Sequence, residues 1–90
     1  MHLLMATAAA SGVTVEQLRL GGQRASLVRA RRLAVVAGVM FLGRRVGEVA
    51  ASLGISSQAA SYLLRTGDPL LVQARAIAES VRAEWPLQMG

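Results

Sequence analysis

Ninety residues make one domain with a single small core and little apolar material to spare. Ten basic residues, every one an arginine, stand against five acids for a formal net charge of +5, a balance that favours a polyanionic partner. Cysteine is absent, which excludes disulfides and thiolate metal sites and fits a reducing compartment, so the chain is read as cytoplasmic.

Hydrophobic residues make up 53% of the chain, so a membrane reading has to be tested. The longest apolar run, Leu33 to Leu42, is hemmed in by Arg31, Arg32, Arg44 and Arg45 and falls well short of the roughly 20 residues that a spanning helix needs. The opening MHLLMATAAASG carries an Ala-x-Ala at Ala6 to Ala8, yet no basic residue precedes it, so it is not read as a signal peptide. The apolar excess instead predicts a helical core plus some exposed surface for a second copy or a neighbouring domain.

In chain order, His2 to Ala10 is rich in Leu, Met and Ala and predicts a short helix stopped near Ser11-Gly12. Thr14 opens a second helix: its side chain can cap the amide of Gln17 while Gln17 reaches back, and Val13 can staple onto Leu18. Leu20 to Arg24 breaks the pattern. A third helix, Ala25 to Phe41, is the longest and most apolar and is expected to be the central buried one, ended by Gly43. Arg45 to Leu53 and Ser57 to Arg65 form a pair, Asp68-Pro69 caps a last helix through about Glu84, and Trp85-Pro86 ends that helix. No strand-like alternation, repeat or low-complexity segment appears. The fold class is all-α: a small domain of five to six helices.

Val46 to Arg65 has the spacing of a helix-turn-helix unit. Gly54 supplies the turn, Val49, Leu53, Ile55, Ala60 and Leu63 take the positions where the two helices bury apolar groups, and Ala50 keeps the crossing close. With Ser56 as N-cap, Ser57, Gln58, Ser61, Tyr62 and Arg65 fall on the opposite face. Gln58 can pair with adenine, Arg65 can reach guanine or a phosphate, and the serines can donate or accept against either strand. Ser-Ser-Gln is equally a solvated helix start. For Tyr62 the ring is expected to pack on Leu42 with only the hydroxyl outward, contact with a phosphate being the other arrangement.

Arg19, Arg24, Arg29, Arg31 and Arg32 cluster about the double-glycine loop and the start of the long helix. Arg24 and Arg29 are assigned to DNA phosphates or a minor groove; Arg31 or Arg32 can instead pair with Glu48 or Glu16. Arg44 and Arg45, just before the first helix of the pair, suit a phosphate. For catalysis the chain offers one histidine, no cysteine and scattered acids, hence no nucleophile-base pair, no metal cluster and no phosphate-cradling loop around Gly21 and Gly22, so it is not read as an enzyme and no cofactor is expected. His2 reads as a disordered or surface residue, and Met1, Met5, Met40 and Met89 as core filler or ends.

The helix order, GVTVEQL at Gly12 to Leu18, the Gly/Arg loop, RARRLAVVAG from Arg29 and the unit that follows resemble the C-terminal DNA-binding domain of the bacterial replication initiator DnaA, and the Trp-repressor-like domains that share its architecture. The resemblance covers roughly Leu3 to Arg65. It implies duplex DNA as partner, a basic loop on the minor groove and backbone that maps to Arg24 and Arg29, and an arginine of the long helix that matches Arg32 or Arg31. The initiator's Asp-His-Thr-Thr-Val signature falls on Ser56, Ser57, Gln58, Ala59 and Ala60; its polar readers are replaced, so an initiator box is not the expected target. Ser57 to Gly67 is similar to the initiator-like tail of some REP-associated tyrosine transposases, whose paired histidines and catalytic tyrosine have no counterpart beside the single His2 and Tyr62.

The expected function is sequence-specific binding of double-stranded DNA, in transcription or replication control or as the targeting part of a mobile-element protein. The alternative is a helical interaction module that ignores nucleic acid, with Leu70, Leu71, Ala74, Ile77, Ala78, Val81 and Trp85 as a dimer or domain contact.

Overall fold

The structure, a computed structural model, describes residues 2–20, 22 and 24–84. Among them the chain forms six α-helices, one π-helical turn, one 3-10 turn and no strand. Helix α1 (His2–Ser11) has no charged residue and buries Leu3, Leu4, Thr7 and Ala8. The Thr7 hydroxyl donates to the Leu3 carbonyl at 2.7 Å, which satisfies it inside the core. Helix α2 (Val15–Leu20) starts with the reciprocal cap that its sequence predicts: Thr14 N–H donates to Gln17 Oε1 at 2.9 Å and Gln17 N–H to Thr14 Oγ1 at 3.0 Å.

Helix α3 (Ala25–Val36) runs through the middle of the molecule with Leu27, Ala30, Leu33, Ala34, Val35 and Val36 buried. The helical run extends to Phe41 as expected, but its register changes on the way. The α-helical ladder stops at Val36, and Ala37–Phe41 form a π-helical turn in which Leu42 N–H reaches back to the Ala37 carbonyl at 3.0 Å and Arg44 N–H to the Gly38 carbonyl at 2.8 Å. Gly38 sits where neighbouring helices press in: a Cβ there would lie 2.8 Å from Leu3 Cδ2 and 2.9 Å from Val49 Cγ2. Apolar periodicity reports which face is buried; it is blind to a one-residue widening of the hydrogen-bond register.

Helices α4 (Val46–Leu53) and α5 (Ser57–Arg65) follow. The expected Asp68 cap is replaced by a 3-10 turn, Asp68–Leu70, with Pro69 in its first positions and Leu70 N–H donating to the Gly67 carbonyl at 2.8 Å; helix α6 (Leu71–Glu84) continues from it. Proline has no N–H to leave unpaired there, and its fixed φ suits a helix start. Helices α1 and α6 pack on each other and on α3, and α6 also on the π turn, while α4 packs against both α2 and α5 and all three pack on α3.

Two expectations about surfaces fail here. Ala74, Ile77, Ala78 and Val81 are buried within the chain's own core, so they are not a free contact face; Leu70 and Leu71 are half-buried and Trp85 lies outside the described residues. Met5 and Met40 are more than half exposed instead of filling the core, and His2 is half-buried at the start of α1; Met1 and Met89 lie outside the described residues.

Candidate nucleic-acid interface

The α4–α5 pair is built by local signals that can be followed atom by atom. Arg45 precedes α4 in extended conformation, and its N–H donates to Glu48 Oε1 at 3.2 Å. At the other end, Gly54 takes the left-handed conformation (φ 72°), Ile55 N–H donates to the Ala50 carbonyl at 3.0 Å and Gly54 N–H to the Ala51 carbonyl at 3.2 Å. That pair of bonds is a Schellman ending, which a glycine accepts without the penalty of a Cβ. A Cβ on Gly54 would also lie 3.0 Å from the Arg19 carbonyl oxygen, so the end of α2 backs the turn. Ser56 then caps α5, its hydroxyl accepting the Ala59 N–H at 3.0 Å.

Val49, Ala50, Leu53, Ala60 and Leu63 are buried and Ile55 partly so. Ser56, Ser57, Gln58, Tyr62 and Arg65 are exposed and Ser61 half-buried. The start of α4 meets the start of α5: a Cβ on Gly47 would lie 3.7 Å from Ser57 Oγ. Exposed Arg44 and Arg45 lead directly into that first turn of α4. Tyr62, expected to pack its ring on Leu42, is exposed. Its side chain is 54% exposed, and the Arg65 guanidinium stands 6.0 Å from its ring centroid, at the outer limit of a cation–π contact.

The two inner arginines of the second cluster pair with neither Glu48 nor Glu16. Arg31 is 6% exposed, its Nε donating to the Leu18 carbonyl and its Nη1 to the Gly22 carbonyl, both at 3.0 Å. Arg32 Nε donates to Thr66 Oγ1 at 3.0 Å, at the end of α5. Arg24, exposed, is the residue before α3, and its carbonyl accepts from Leu27 and Val28 N–H. Arg29 is exposed but belongs to a different group: with Met5, Ala6, Ala9, Ala10, Ala76 and Ile77 it lines a cleft of about 770 Å³ between α1 and α6. Among the described residues Arg19, Arg24, Arg29, Arg44, Arg45 and Arg65 have no acidic partner; the ion pair found, Arg75 to Glu79 at 3.3 Å, lies on α6.

Sequence reasoning passed over Thr66 and Gly67. Thr66 Oγ1 accepts from Arg32 and donates to the Tyr62 carbonyl at 2.9 Å. Gly67 is buried, and a Cβ on it would overlap Val36 Cγ2 and lie 3.2 Å and 3.3 Å from the Leu63 and Leu64 carbonyl oxygens. A glycine just past the last helical residue is a legible stop signal. Its contact with Val36, far away in sequence, is not.

No group of three or more metal-ligating side chains is found among the described residues, and none of their helices is long and apolar enough to cross a membrane. Comparison with known protein families, with curated proteins and with solved structures finds no match.

Proposed function

We propose that this chain is a helix-turn-helix module that binds double-stranded DNA with α5 in the major groove, of the kind seen in the DnaA C-terminal and Trp-repressor-like domains it resembles. One observation carries the reading: α5 exposes Ser57, Gln58, Tyr62 and Arg65 on the side away from its buried Ala60 and Leu63, and its first turn meets the first turn of α4, into which Arg44 and Arg45 lead, none of these arginines having an acidic partner among the described residues. The major groove, about 12 Å wide, admits a helix of this size. Gln58 reads adenine through a pair of hydrogen bonds, Arg65 reads guanine or holds a phosphate, and Ser57 and Ser61 adapt to either strand. Arg44, Arg45 and Arg24 neutralise phosphates and set the register. Arg29 has a smaller part, since it lines the α1–α6 cleft.

The chain acts by binding and not by catalysis, in the cytoplasm, as a regulator of transcription or replication or as the targeting part of a mobile-element protein. Selection from randomised duplexes at near-physiological salt, with Arg65→Ala alongside, tests this. An enriched motif that the variant loses supports a specific reader. Recovery at background overturns it in favour of a protein-contact module, for which the exposed Met5 and the α1–α6 cleft are the observed surface.

A further inference from the structure

We infer that Arg31, which is too deeply buried to touch a nucleic acid, is a positioning residue for the DNA contact of Arg24. The inference rests on the DNA-binding reading. Helix α2 is six residues long, so its last four carbonyls have no partner within the helix and form the negative end of its dipole. Arg31 fills that need from a neighbouring helix: Nε donates to the Leu18 carbonyl near the end of α2, and Nη1 donates to the Gly22 carbonyl in the crossover to α3. The two acceptors diverge, and a planar guanidinium meets both from one rotamer, whereas a lysine ammonium on its single stem reaches one well.

Among the described residues the buried charge has no carboxylate partner, and Nη2 has no hydrogen-bond partner. A cation held by neutral carbonyls alone is a costly way to fill a core, and a leucine or methionine of similar volume fills it without that cost. What the arginine adds is a cross-link between three segments. Gly22, with φ 100° and a prospective Cβ only 3.4 Å from Leu27 Cδ1, is tied on one side of Arg24. On the other side Arg24's own carbonyl is tied to the Leu27 and Val28 amides. Arg24 thus lies between two anchors, the Gly22 carbonyl bond and the first turn of α3, which lowers the ordering cost of its phosphate contact. The same cross-link steadies the end of α2, whose Arg19 carbonyl backs Gly54.

A cycle of Arg31→Lys and Arg24→Ala, read by binding to a labelled duplex of randomised sequence across a salt series, tests the coupling. In the wild-type background Arg24→Ala is expected to flatten the salt slope by about one unit; in the Arg31→Lys background it should change the slope little. Limited trypsin digestion supplies a readout free of DNA. Arg31→Lys should accelerate cleavage after Arg24 selectively, while Ile77→Ala, which loosens the core from α6 and away from the crossover, should accelerate cleavage at Arg19, Arg44 and Arg75 as well. Retention of the full Arg24→Ala effect in the Lys background, or uniform acceleration like that of Ile77→Ala, overturns the proposal. Arg31→Gln, which keeps a donor without the charge, replaces Lys if the latter prevents folding, and failure of both to fold assigns Arg31 to stability alone. A wild-type chain that binds no duplex defeats the DNA reading, while the digestion pattern still decides whether Arg31 anchors the crossover.

Discussion

The two ends of α5 are held by different means. At its C-terminal end, Thr66 is bonded to Arg32 and Gly67 is pressed against Val36, so the helix is locked to α3 by contacts between residues far apart in sequence. At its N-terminal end the fixing groups are neighbours in sequence: the Schellman ending at Gly54 and the Ser56 cap, with Gly47 close by and exposed residues outward. One end is anchored by tertiary packing and the other is presented by local turn chemistry. A helix arranged so can offer its first two turns to a partner without drawing on the contacts that hold it in place.

If that contrast is right, substitutions at the anchored end should cost most. Gly67→Ala places a methyl group on Val36 and on two carbonyl oxygens at a backbone angle (φ −93°) that alanine itself tolerates, so the penalty is overpacking, about 2–3 kcal/mol. Urea denaturation should show it as a lower midpoint with an unchanged slope, and a shift of a few tenths of a kcal/mol would mean that α5 is not locked to α3 as described. Gly54→Ala is the next step down. Its cost comes from the left-handed backbone, about 1–2 kcal/mol, with the Arg19 carbonyl 3.0 Å away preventing a simple fit. Thermal melting is the check, at roughly 4–8 °C per kcal/mol for a domain of this size.

The same contrast separates what the residues reveal in order from what needs the fold. The capping box at Thr14 and Gln17, the stop at Gly54 and the cap at Ser56 were legible because each is a short-range exchange of one donor and one acceptor within a few residues. The exposed face of α5 followed from helical periodicity alone. The π turn, the Gly67 contact and the true partners of Arg31 and Arg32 were not legible. All three depend on which helices meet, and a charged residue in sequence does not announce whether a carboxylate, a carbonyl or solvent will receive it. Helix α6 shows the same limit: its apolar positions were visible, but only packing reveals that Ala74, Ile77, Ala78 and Val81 face inward.

Ser56→Ala sits further down the scale. It removes one acceptor from one amide of an exposed helix start, worth about 1 kcal/mol, and Ser56→Asp should restore most of it while Ser56→Gly should lose only a few tenths. The rank order Asp, Gly, Ala in thermal stability is the measurement. Equal stability for all three would show that the Ala59 amide is served by water just as well.

Gln58→Ala should change stability least and sequence preference most. The side chain is exposed and makes no hydrogen bond within the described chain, so removing it leaves the fold within about 0.5 kcal/mol of the starting value; alanine is, if anything, the better helix former by a few tenths. A bidentate contact to adenine, by contrast, discriminates by about 1–3 kcal/mol at one base pair. Binding to a selected duplex and to its single-base variants therefore separates two accounts of the same glutamine. A reader loses discrimination at one position and keeps its salt dependence, whereas a solvated helix start loses neither. The second result would leave the N-terminal end of α5 well presented, but for contacts made by the neighbouring Arg44 and Arg45 and not by Gln58.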